Sequence, residues 1–151
     1  MQTSAVGSRS RGFTLLELLL VVTIIAMASA GVAFAMRDTS DTELEREAQR
    51  LAALLDAGRA LSRANGVPVR WVRTPQGFRF EGLSAQALPT HWLNAQTVAQ
   101  MRAPLLLGPE PIIGPQEVAL HLRDHPDRVL HVRTDGLGPF AVRTEAGAVG
   151  P

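Results

Sequence analysis

The sequence contains no cysteine, which excludes disulfide bonds, thiolate nucleophiles and cysteine-ligated metal sites. A small domain outside the cytoplasm must then be stabilised by its own core, by a membrane anchor or by neighbouring subunits. Lysine is also absent, and all 15 basic residues are arginine. From Arg37 onward, 13 arginines are balanced by 13 acidic residues, so this part lacks the excess positive charge of a nucleic-acid binder.

Charged residues are almost missing from the segment Thr14–Met36, where Glu17 is the single exception in 23 residues. As a helix this segment would be about 35 Å long at ~1.5 Å per residue, enough to cross a hydrocarbon core of roughly 30 Å. Arg9 and Arg11 precede it, so the positive-inside rule places the N-terminus in the cytoplasm. The pattern predicts a single-pass membrane protein whose remaining residues lie outside the cytoplasm.

A cleavable secretory signal is the alternative interpretation, because Ala28-Ser29-Ala30 matches a signal-peptidase site. The apolar run, however, is longer than the roughly 7–15 residues of most signal peptides. Glu17 would also bring no benefit to a signal peptide, since an ionised carboxylate costs about 2.5–3.5 kcal/mol at the centre of a spanning helix and less near an interface. Both features favour a permanent anchor.

A carboxylate within a membrane helix indicates a functional site with a charged partner. Cleavage between Gly12 and Phe13 would create such a partner, since a new α-amino group is ordinarily protonated at neutral pH. Glu17 lies one helical turn from this amine in its own chain, and it could instead neutralise the Phe13 amine of a neighbouring subunit. Such a pair would favour association and set the axial offset, because each unpaired charge would remain in lipid.

Residues 11–17, RGFTLLE, followed by an apolar span, resemble the processing site of type IV pilin-like proteins. The resemblance implies that a prepilin peptidase cuts after Gly12, that the same enzyme N-methylates Phe13, and that Glu17 guides subunit assembly. It also implies an inner-membrane anchor and a periplasmic C-terminal domain. The expected divisions are a leader peptide (1–12), a transmembrane helix (13–36), the exterior part of the stem helix (37–66) and an antiparallel β domain (67–151).

Residues 37–66 have one apolar face at helical spacing, which predicts a stem helix lying on a sheet. This stripe consists of Leu44, Ala48, Leu51, Ala52, Leu55, Gly58 and Ser62. Asn65-Gly66 predicts a left-handed stop at its end. Ser40 and Glu43 have the spacing of a capping box that would start a separate helix, and the alternative is one helix continuing from the membrane.

Residues 67–151 predict antiparallel strands, which makes the fold class α+β: a long N-terminal membrane-anchored helix packed on an antiparallel sheet, resembling the pilin fold. The expected strands are 67–73 paired with 78–82, 118–123 paired with 128–133 around a turn at Asp124–Asp127, and 139–144. Trp71 should lie in the core, with Val69, Phe78 and Phe80 on the same face. The proline-rich stretch 87–116 predicts long loops.

Four exterior segments resemble the minor pseudopilin H family of type II secretion systems: RALSRANGVPVRW, WVRTPQGFRFEGL, LPTHW and TDGLGPFAVR. This resemblance implies a subunit at or near the tip of a periplasmic pseudopilus that helps export folded proteins. Its partners would be the prepilin peptidase, the major and other minor pseudopilins, secreted substrates and the inner membrane. Minor type IV pilins that assemble pili or take up DNA are the alternative. Their DNA contact would be Arg123, Arg133 and Arg143, although the neutral exterior argues against DNA as a partner.

Enzyme motifs are missing from the sequence, and we expect no catalytic, cofactor-binding or metal site. His121, His125 and His131 are close in sequence, but two of them alternate with core residues and one lies in the predicted turn. They are therefore expected to be solvated strand and turn residues. Trp92 is left between two interpretations, a core residue or an exposed contact for a partner.

Overall fold

The computed structural model describes residues 13–144 and, for residues 33–38, the backbone alone. Within this range it contains one helix and seven strands. They are α1 (Leu15–Asn65), β1 (Arg70–Thr74), β2 (Gly77–Glu81), β3 (Thr97–Gln100), β4 (Leu105–Leu106), β5 (Gln116–Leu122), β6 (His125–Thr134) and β7 (Ala141–Thr144). The chain divides into two compact units, Met1–Asp38 and Thr39–Pro151, and α1 contributes residues to each.

The boundaries of α1 decide the question that the sequence left open at Ser40. The helix is continuous through this residue, so the interpretation of a separate, capped helix is wrong. At the other end, Gly66 has a φ of +64° and the Val67 N–H donates to the Ser62 carbonyl at 3.2 Å. Glycine adopts this left-handed conformation without steric cost, and the predicted stop is confirmed.

The apolar stripe of the stem helix is buried as its spacing predicts. The members with the least exposure are Leu44, Ala48, Leu51, Leu55 and Ser62, all at 0–1%. Gly58 lets α1 approach the first sheet closely, because an added Cβ would lie 2.8 Å from Leu107 Cδ1 and 3.2 Å from Phe80 Cε1. A larger residue at this position would therefore push the helix off its sheet.

The strands confirm the α+β class and the antiparallel pairing, but they form two sheets where the sequence predicted one. The first sheet has the order β2-β1-β4 and the second has the order β3-β5-β6-β7. In the first, Trp71 pairs with Phe80 and Thr74 with Gly77, which is the predicted hairpin. Gln116 links the two sheets, since its amide accepts from Leu106 N at 2.7 Å and donates to Leu106 O at 2.8 Å.

The stretch 87–116 is mostly irregular, as its prolines predict, but it also contains short strands that the sequence did not locate. It contains β3 and β4, and β5 begins at its last residue. β3 is only four residues long and pairs with β5 through Thr97↔Leu122 and Ala99↔Leu120, whereas β4 pairs with β1. These short strands exist because distant strands offer them hydrogen-bonding partners, which a local pattern does not reveal.

The turn of the second hairpin is shifted relative to the prediction. β6 begins at His125, which pairs with Leu122, and the register of the two strands shifts between Leu122 and Leu120. The turn therefore contains Arg123 and Asp124, and the predicted turn residues His125–Asp127 lie in a strand. Pro126 is tolerated there because β7 pairs with β6 only from Leu130 onward, so no ladder bond to β7 is lost.

An aromatic cluster lies in the core of the second compact unit, Thr39–Pro151. Trp71 is fully buried, as predicted, and its ring centroid lies 5.6 Å from that of Phe78. Trp92 is half-buried and packs edge-on against Phe78 at 4.6 Å and against Trp71 at 6.4 Å. These contacts decide the open question about Trp92 in favour of a core residue.

Candidate processing and assembly site

Helix α1 begins immediately after the residues at which cleavage is predicted. Thr14 caps it: the Glu17 N–H donates to Thr14 Oγ1 at 3.2 Å, and the Leu18 N–H donates to the Thr14 carbonyl at 3.1 Å. Phe13 precedes this cap and is exposed, with 69% of its surface accessible. Gly12 and the leader peptide lie outside the described residues. The predicted cleavage bond thus adjoins two residues, Phe13 and Thr14, that are not helical.

Glu17 occupies the first turn of α1, where the helix dipole favours a negative charge. It is the one ionisable residue of the segment Leu15–Val32, which has a mean hydropathy of 2.4 and is exposed along its whole length. Thr23, a second polar residue, satisfies its hydroxyl inside the helix by donating to the Leu19 carbonyl at 2.8 Å. Glu17 therefore projects the only charge from an otherwise apolar surface.

The segment Leu15–Val32 is, within residues 13–144, the one helical segment long and apolar enough to cross a membrane. Its 18 residues would cover about 27 Å at ~1.5 Å per residue. None of this surface is covered by the rest of the described chain. Length, composition and exposure together make it a surface for lipid or for other apolar helices.

In the second compact unit, Thr39–Pro151, Glu47 connects the stem helix to the loop that contains residues 91–94. It is only 1% exposed, and its Oε2 accepts from Leu93 N at 2.7 Å and from Asn94 N at 3.2 Å. Its Oε1 pairs with Arg50 at 2.9 Å, and Arg50 also donates to the His91 carbonyl at 3.0 Å. The carboxylate is thus held by three donors, as a buried charge requires.

Replacing Glu47 by alanine should destabilise the second compact unit by about 2–4 kcal/mol, because two buried amides and a guanidinium would lose their acceptor. Thermal unfolding of the full chain in detergent, followed by circular dichroism, measures the effect. Glu45→Ala is the matched control, since Glu45 lies on the exposed side of the same helix and should change stability by less than about 0.5 kcal/mol. Equal effects for the two variants would contradict the role of Glu47.

A second connection joins the stem helix to the segment 134–140. Arg59, 6% exposed, donates to the Gly138 carbonyl at 2.7 Å and to the Gly136 carbonyl at 3.4 Å. Asp56 accepts from Phe140 N at 3.2 Å. Both side chains therefore bind this segment. Residues 136–140 are thereby held against the helix.

The turn at Asp135–Gly138 is reinforced from within. The Asp135 carboxylate accepts from Gly138 N at 2.8 Å and Leu137 N at 2.9 Å, and the Gly138 hydrogen bond is the main cause that lowers its pKa. Gly136 has a φ of +95°, and a Cβ there would collide with the Ile113 carbonyl. Glycine is therefore required at this position both for its conformation and for lack of space.

The sequence predicted neither Glu47 nor Arg59 as a buried residue. Both follow an apolar member of the stripe at helical spacing, Glu47 three residues after Leu44 and Arg59 four residues after Leu55. A charge on the apolar face of a helix indicates a buried hydrogen-bonding role. That signal was present in the pattern and could have identified them.

The histidines do not converge. His131 is half-buried and its Nδ1 lies 2.8 Å from Glu117 Oε1, while His121 and His125 are half-buried on separate strands. No group of three or more potential metal ligands occurs within residues 13–144. The three histidines, expected to be solvated strand and turn residues, are thus partly exposed and partly buried, and His131 has one carboxylate partner.

Comparison with known proteins defines the class to which these features point. The model of a protein family described as the prokaryotic N-terminal methylation motif matches residues 7–33. This range covers Gly12, Phe13, Glu17 and the apolar first part of α1. The resemblance to the type IV pilin-like family, predicted from residues 11–17, is confirmed, and the α+β fold with an apolar N-terminal helix agrees with it.

Similarity to one relative indicates which kind of pilin-like protein the chain resembles. The chain is 34% identical over 86 residues to type II secretion system protein H of Klebsiella michiganensis. The aligned stretch covers 54% of this chain and 45% of the relative, so the chain spans less than half of the relative's length. No solved structure matches the chain. The resemblance to pseudopilin H is confirmed, and the methylation motif with one apolar N-terminal helix fits a single-pass inner-membrane protein.

Proposed function

We propose that this chain is a minor pseudopilin of a type II secretion system, a structural subunit and not an enzyme. The observation that carries the proposal is the arrangement at its N-terminus. A methylation motif leads directly into the apolar helical segment Leu15–Val32, whose only charge, Glu17, lies in the first turn of α1. Similarity to a type II secretion protein H supports secretion as the process.

In this proposal, prepilin peptidase removes the leader 1–12 after Gly12 and methylates Phe13. Residues 13–36 anchor the subunit in the inner membrane with its N-terminus in the cytoplasm. The stem 37–66 and the β domain 67–151 lie in the periplasm and contact the major and other minor pseudopilins at or near the pseudopilus tip. Secreted proteins would contact the subunit at this tip, and the export of folded substrates would depend on the subunit.

Deletion of the gene for this chain tests the proposal directly. Secreted proteins should accumulate in the periplasm and fall at least tenfold in the culture medium, whereas DNA uptake and pilus number should stay unchanged. Re-expression of the wild-type chain should restore secretion. Normal secretion together with lost piliation or DNA uptake would instead assign the chain to the minor type IV pilins.

The alternative function rests on the arginines Arg123, Arg133 and Arg143, which are all exposed. We expect the full chain in detergent to bind duplex DNA no more tightly than about 10⁻⁶ M at physiological salt, the range of non-specific contacts. A gel-shift titration measures this. Tighter binding that disappears in the Arg133→Ala, Arg143→Ala double variant would favour DNA uptake over secretion.

A further inference from the structure

The outward face of the second sheet contains a groove that the proposed secretion function does not use. Its floor includes two small residues on either side of β6, Ala119 on β5 and Ala141 on β7, and the loop 101–104 also lines it. The alternating residues Val118, Leu120 and Val132 are buried in the core on the other face of this sheet. The groove, of about 1240 Å³, therefore lies on the side of the sheet turned away from the core.

Three arginines line this groove, one from each of three separate elements: Arg102 from the loop, Arg133 from β6 and Arg143 from β7. All three are exposed, and none has an ion pair or a side-chain hydrogen bond with any residue from 13 to 144. The nearby carboxylates are already occupied, Glu117 by His131 and Asp135 by two backbone amides. The lining thus contains three arginines without an ion pair against two carboxylates that already have partners, which leaves it a net charge of +1.

The spacing of these arginines suits an extended peptide. Arg133 pairs with Ala141 and His131 pairs with Arg143, so the two arginines are diagonal neighbours on adjacent strands. Diagonal neighbours are separated by about 7–8 Å. Side chains on the same face of an extended chain repeat every two residues, or about 6.6 Å. Carboxylates at every second position would therefore meet both guanidinium groups, which bind carboxylates through two parallel hydrogen bonds.

We propose that this groove binds an extended acidic segment of a partner protein, with carboxylates at alternate positions paired to Arg133 and Arg143 and a further carboxylate paired to Arg102. The small floor residues leave room for a peptide backbone, and the loop 101–104 restricts its path. A nucleic acid fits the same surface less well, because the residues from Arg37 onward are neutral overall and offer no wider positive surface for its continuous backbone charge. The site would serve equally in a secretion or a pilus subunit.

Fluorescence anisotropy with the full chain in uncharged detergent tests the proposal. The probe is a fluorescein-labelled peptide EAEAEAEA, and its matched control is QAQAQAQA. We expect saturable binding of the acidic peptide, weakened about two- to fivefold by Arg102→Gln, Arg133→Gln or Arg143→Gln alone and about tenfold or more by the three together. The triple variant Arg63→Gln, Arg70→Gln, Arg123→Gln removes the same charge from exposed positions outside the groove and should retain binding.

Four results would overturn the proposal. They are no saturation up to about 1 mM peptide, equal losses in the two triple variants, tighter binding of duplex DNA that the groove variants abolish, and binding that appears only after removal of residues 145–151. The last result would assign the groove to the chain's own C-terminal segment. Because the chain has no cysteine, a dye on Ala119→Cys supplies a second readout at the groove floor, and its emission should shift only with the acidic peptide.

Discussion

Mass spectrometry of the protein extracted from membranes should find a chain that begins at Phe13 and carries one additional methyl group. The expectation follows from the methylation motif over residues 7–33 and from the position of Phe13 just before the Thr14 cap. Unprocessed chain should be nearly absent when the peptidase is present and should be the only form when it is deleted.

Two matched variants separate this cleavage from that of an ordinary secretory signal. Gly12→Val places a branched side chain at the expected cleavage bond and should leave the leader attached. Ala30→Val alters the end of Ala28-Ser29-Ala30 within the apolar helix and should leave the mass of the mature chain unchanged, apart from the substitution itself. A mature chain beginning at Gly31, lost in Ala30→Val, would end the pilin-like interpretation.

Glu17→Gln should leave processing at Gly12 intact and reduce assembly at least tenfold. Glutamine preserves the size of the side chain and is also accepted at this position of a capping box, so the start of the helix at Thr14 is maintained. The charge alone is removed. The Phe13 ammonium of a neighbouring subunit would then lack its partner in lipid, at a cost of about 2.5–3.5 kcal/mol if near the membrane centre.

Such a cost exceeds the roughly 1.4 kcal/mol that corresponds to a tenfold change in an equilibrium. Crosslinking to the major pseudopilin, through single cysteines introduced into each chain, measures assembly, and secretion into the medium measures its consequence. Glu17→Asp keeps the charge and should retain part of the assembly, while Thr23→Val removes a hydroxyl that binds only its own helix and should have no effect. Normal assembly of Glu17→Gln would refute charge pairing but not the family resemblance.

Local patterns by themselves determined much of this protein. The membrane span and the lone Glu17 could be read directly because hydropathy and charge are properties of a contiguous segment. The stem stripe and the stop at Gly66 followed from helical periodicity and from glycine's access to positive φ. The first hairpin was predicted because a short turn brings Trp71 and Phe80 together without help from the rest of the chain.

Only the tertiary structure decided the partition into two sheets, the pairing of β3 and β4 with strands far along the chain, and the position of the second turn. It also decided that Glu47 and Arg59 are buried and that Arg102 and Arg133 line the same groove. The physical reason is the same in each case. Short strands and buried charges are stabilised by partners distant in sequence, and no local period records which distant residues will supply the missing hydrogen bonds.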